Sequence, residues 1–331
     1  MYFGDVPISP TFKYRFSVQI ESPHRILNNL LYIYIRFIDS YEIQFDSLWL
    51  SLAHSEKNVI AIVDFLVEQL ILRNQHNTFE IYGKKVIFQL TTKSGFLSTV
   101  IETLINHLQH FSPLFSMEDP LSCPLDLVEH SDIKEEFLAP LQTLISASHD
   151  IFLTIFNYPL LFLVEIVATC QNYDWSRHLP ILLHSIILGF DHIDVHIFLQ
   201  CKQILLNLLY TLKFLPSTGT HIEVRDLLLE IEKKPWSYAD SAPEISSMSQ
   251  LKNMVQLICK VFTSNSTDKP VFLLQGWGEV ATHFATLCHV RHYACRSFEI
   301  IRSLDQPFSD SMLVDIMVRL ADSVSNSNQV C

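Results

Sequence analysis

From Lys57 onward the apolar residues recur at steps of three and four rather than at alternate positions. Val59, Val63, Leu66 and Leu70 fall on one helical face. A polar link, Asn74–Asn77, follows. Phe79–Leu90 then reads as a second helix and Phe96–His110 as a third. Ser112–Glu129 has three prolines and no period, so it reads as a loop, and helix resumes over Asp132–Ser148. Ile151–Thr169 reads as two buried helical pieces meeting at Pro159. Beyond it the pattern predicts helices over Arg177–Phe190 and Asp191–Leu215. Asp191 stands where an N-cap belongs and Pro216 where a helix stops. In the second of these helices Phe198, Cys201, Leu205, Leu208 and Leu212 repeat at steps of three and four. Lys233–Pro243 reads as a linker. Glu244–Phe262, Gly278–Cys288, Val290–Leu304 and Ser309–Ser323 complete the set. Val290, Ala294, Ser297, Ile301 and Leu304 share one stripe. The amino end differs: Phe12–Ile20 alternates as an extended segment does, and Ile26–Ile38 fits helix or strand.

The chain thus divides into an N-terminal segment (1–56), partly extended or helical, a helical-repeat region (57–325) and a polar tail (326–331). The helical region is broken by a long loop at about 112–131 and a linker at about 233–243. Roughly ten to twelve helices with short links, each too apolar to stand alone, bury themselves by stacking on neighbours. The expected class is all-α, a degenerate HEAT/armadillo-like solenoid. With no strict sequence period, a single irregular helical domain is the alternative.

Composition narrows this further. Apolar residues make up 49% of the 331 positions and charged residues 18%, too apolar for disorder. Seven glycines are few for an enzyme that cradles phosphates. The net charge of −12, without a Lys/Arg cluster, argues against nucleic acid and anionic lipid as partners. The seven cysteines form no CxxC pair, and the first residues are not a signal peptide, which fits free thiols in a reducing cytoplasm. Pro159 and Glu165 argue against a membrane span in Ile151–Thr169.

Four constellations could carry chemistry. Val271–Leu274 followed by Gly276, Gly278 and Ala281 imitates a dinucleotide-binding turn, with Glu299 at a ribose-contact distance in sequence, but no parallel sheet accompanies it. The bland reading is that one of the glycines opens a helix while Trp277 packs. His192 and His196 are half of a zinc site, without a general-base Glu or a third ligand. Cys288 beside His289 and His292 offers a thiol near imidazoles, but sequence neighbours on a helix point apart. No catalytic, cofactor or metal residues are therefore assigned. The most informative polar residues are Arg291, His292, Arg296 and Arg302. Arginines spaced through an apolar element either pair between stacked helices, with Glu299 and Asp305 as candidates, or anchor an acidic or phosphorylated partner.

Two stretches carry a resemblance. One runs from Arg177 to Leu209 and contains HLPILLH, LGFDH and CKQILLNLL. The other is GWGEVATHFATLCHVRHYACRSFEIIRSL, Gly276–Leu304. Both resemble the central region of the Furry-type cell morphogenesis proteins, the RHYACRSF core being closest to fungal members. A weaker match covers Phe65–Leu90, so the likeness spans about Asn58–Asn326. The resemblance implies a long, non-catalytic HEAT/armadillo-like scaffold without cofactors. It implies action with NDR-family kinases and their Mob coactivators in polarised growth and cell shape, at the cell cortex or growth sites. A trafficking adaptor on the same frame is the alternative, and a dinucleotide enzyme at Gly276–Ala281 a distant one. The chain is far shorter than such proteins and ends at Ser325–Cys331 without a polar closing repeat, so a fragment or a truncated gene product is expected.

Overall fold

In the computed structural model, the structure describes residues 23–72, 77–93, 95–109, 148–192, 195–212, 221–232, 245–263, 270–288 and 290–325. The extended reading of Phe12–Ile20, the loop at 112–131, the Asp132–Ser148 helix up to residue 147, the 233–243 linker and the 326–331 tail lie outside them. The described residues are all-α, with twelve α-helices and no strand among them. In chain order these are α1 (Pro23–Leu52), α2 (Glu56–Leu72), α3 (Asn77–Lys93), α4 (Leu97–Gln109), α5 (Ser148–Thr169), α6 (Leu179–Phe190), α7 (Val195–Thr211), α8 (His221–Glu232), α9 (Ile245–Thr263), α10 (Pro270–Leu287), α11 (Arg291–Leu304) and α12 (Asp310–Ser325). No described helix is long and apolar enough to cross a membrane.

The chain forms two compact units, Met1–Leu104 with Pro113–Tyr158, and Ile105–Ser112 with Pro159–Cys331. In the first, the ambiguous Ile26–Ile38 run is helical. Leu27, Leu30, Leu31, Tyr34 and Ile38 are buried at helical steps, which a strand would place on both faces. Helix α1 breaks at Tyr41, whose φ/ψ of −138°/31° is not helical. A straight helix would separate Tyr34 from Phe45 by about 16 Å. Their rings instead meet edge-on at 5.4 Å, and Trp49 lies 6.2 Å from Tyr34, so the chain turns back at Tyr41. Helices α2 and α3 belong to the same unit, α3 packing on both α1 and α2. Val59, Val63 and Leu66 of the predicted stripe are buried. Gln89 of α3 donates to Asp46 Oδ2 of α1 at 2.8 Å.

The second unit is built around α6. All twelve of its residues are buried, as a helix apolar on every side requires. It packs against α7, α10 and α11. Helix α10 also meets α9, α11 and α12, and α9 meets α8 and α11. On α11 the predicted stripe of Val290, Ala294, Ser297, Ile301 and Leu304 is buried throughout. Helix α7 is tied to α5 by Asn207 and Thr211, which donate to the Val164 and Val167 carbonyls at 3.0 and 3.2 Å.

Two expectations are corrected. Helix α5 is one continuous helix with Pro159 inside it, not two pieces. The proline removes one N–H from the ladder, but the apolar residues after it, Leu160–Leu163, are buried and hold the helix on course. The glycines of Gly276–Ala281 lie in the interior of α10, so neither opens a helix, and the apolar run Val271–Leu274 before them is helical too. A Cβ at Gly276 would stand 3.1 Å from Pro180 Cγ of α6. The glycine is there to let two helices approach, not to cradle a phosphate.

Candidate functional site

Helix α6 ends at Phe190, and Asp191 follows as its C-cap, its N–H returning to the Leu188 carbonyl at 3.2 Å. A carboxylate at a helix C-terminus faces the negative end of the dipole, so burial there demands compensation. Asp191 is 2% exposed. The first turns of α11 supply two partners. Arg296 Nε donates to Asp191 Oδ2 at 2.6 Å, and His292 Nε2 lies 2.6 Å from the same oxygen. The other branch of the guanidinium, Nη1, donates to Glu299 Oε2 at 2.8 Å. Asp191 Oδ1 is buried and makes no hydrogen bond among the described residues. Burial works against the Arg296 charge. The Asp191 and Glu299 carboxylates outweigh it and move its pKa up.

A second polar link lies on the same two helices. Ser297 donates to the Tyr293 carbonyl at 2.7 Å, so its oxygen receives the His184 Nε2 proton at 3.1 Å. This fixes His184 as the Nε2–H tautomer. Its ring stands 4.5 Å from that of Phe284 on α10, with no exposed surface. Burial pushes its pKa down to about 3, so the imidazole is neutral.

The structure therefore brings together two of the four candidate residues, Arg296 and His292, on one carboxylate. Arg302 is exposed farther along α11, and Arg291 is its first residue. Of the proposed partners, Glu299 pairs with Arg296. Asp305 caps the end of α11 in a left-handed conformation, φ 51°. Asp191 is a correction: it is the C-cap of α6, and its side chain pairs with α11 rather than capping α7. Its role was hidden because a carboxylate between two helices satisfies the N-cap pattern in sequence, while its partner Arg296 lies 105 residues away. His184 was missed too, although a histidine within an otherwise apolar helix signals a buried partner.

The other constellations come apart. His196 is exposed and His192 half-buried, and no group of three His, Cys, Asp or Glu side chains among the described residues could hold a metal. Burial pushes the Cys288 thiol up to about 11, and its Sγ is turned to the Val290 carbonyl at 3.7 Å, which leaves it protonated and unreactive. The Asp191 cluster is a desolvated, charge-assisted joint between the end of α6 and the start of α11.

Fold and site together define an all-α protein in which His184, Asp191, Arg296 and Ser297 join two helices through buried polar contacts. Its sequence matches the model of the cell morphogenesis central region over residues 16–110 and 116–330, and the chain belongs to that family. It is 27% identical to the cell morphogenesis protein PAG1 of Saccharomyces cerevisiae over 310 residues, which is 92% of this chain and 12% of PAG1. It is 24% identical to the cell polarity protein mor2 of Schizosaccharomyces pombe over 304 residues, 91% of this chain and 13% of mor2. The chain thus spans about an eighth of the length of these relatives.

Proposed function

We propose that this chain is a non-catalytic segment of a HEAT/armadillo-like helical scaffold that supports cell morphogenesis and polarised growth. Its partners are an NDR-family kinase and the Mob coactivator, and it works at the cell cortex. The observation that carries the reading is family membership across nearly the whole chain, with matched relatives whose names are those of morphogenesis and polarity proteins. A second observation supports it. The polar residues of the two resemblance stretches, His184, Asp191, His292, Arg296 and Ser297, are turned onto one another between α6 and α11, where they set helix geometry. Such a frame serves binding on its outer faces.

The test is direct binding. The purified 331-residue chain is titrated into a purified NDR-family kinase–Mob pair in a calorimeter. The reading expects saturable association at micromolar concentration or tighter. No heat of binding, together with no co-purification of the kinase with the longer relatives, overturns it.

A further inference from the structure

We draw no further inference here: the strongest candidate, the face of α7 on which Val195, Leu199 and Tyr210 are exposed, is an unpartnered apolar face, and nothing in the structure shows what covers it.

Discussion

Asp191 shows how much one side chain can hold. Its carboxylate is shut from water at the wrong end of a helix dipole, and only Arg296 and His292 make that tolerable. Asp191→Ala leaves a guanidinium stranded in the interface, and urea denaturation should register a loss of about 3–5 kcal/mol. Replacing both partners, Asp191→Leu with Arg296→Met, should restore most of it, because an apolar pair avoids the desolvation that the ions suffer. If the double variant is as unstable as the single one, the joint is not the electrostatic unit described above. His184 makes a separate prediction. Its folded pKa of about 3 lies below the unfolded value near 6.5, so below pH 6.5 the unfolded chain binds a proton that the folded chain refuses. Stability is full above pH 6.5 and falls as pH drops toward 3, by about 1.4 kcal/mol per unit from this group. Melting curves from pH 7 to 5 should show this slope, and His184→Gln should flatten it. An unchanged slope in that variant would assign the acid sensitivity elsewhere.

At the scale of elements, close helix approach explains residues whose spacing suggested chemistry. A Cβ on Gly189 of α6 would fall on the Cys201 Sγ of α7. Gly189→Ala should therefore cost about 1–3 kcal/mol through overpacking, and Cys201→Ala in the same chain should relieve it. Thermal melts of the two single variants and the double variant measure the coupling, and additive losses would contradict the contact. Gly276 against Pro180 plays the same part between α10 and α6, so Gly276→Ala should lower stability while calorimetry shows no nicotinamide or flavin binding to either form. Much of this layer was legible in the sequence. The period of three and four placed α2, α7 and α11, and the buried stripe of α11 is the predicted one. The failures share a cause. Pro159 reads as a break because local propensity ignores the burial that carries α5 through it, and a glycine pair reads as a phosphate turn when the neighbouring helix is invisible. Asp191 could be placed but not paired, since nothing local names a partner on α11. The bend at Tyr41 had no proline or glycine to announce it.

For the whole molecule, membership of the cell morphogenesis central region sets the frame, and the chain covers about an eighth of its matched relatives. In the proposed scaffold reading it is one stretch of helical surface, and the polar residues buried between α6 and α11 join the two helices that carry it. The most direct measurement is made in cells that produce the protein. The residues of this segment are deleted in frame from the endogenous gene, and association of the NDR-family kinase is quantified alongside cell shape. The account predicts that kinase association falls and that polarised growth is lost together with it. Kinase association and cell shape both unchanged by the deletion would contradict it.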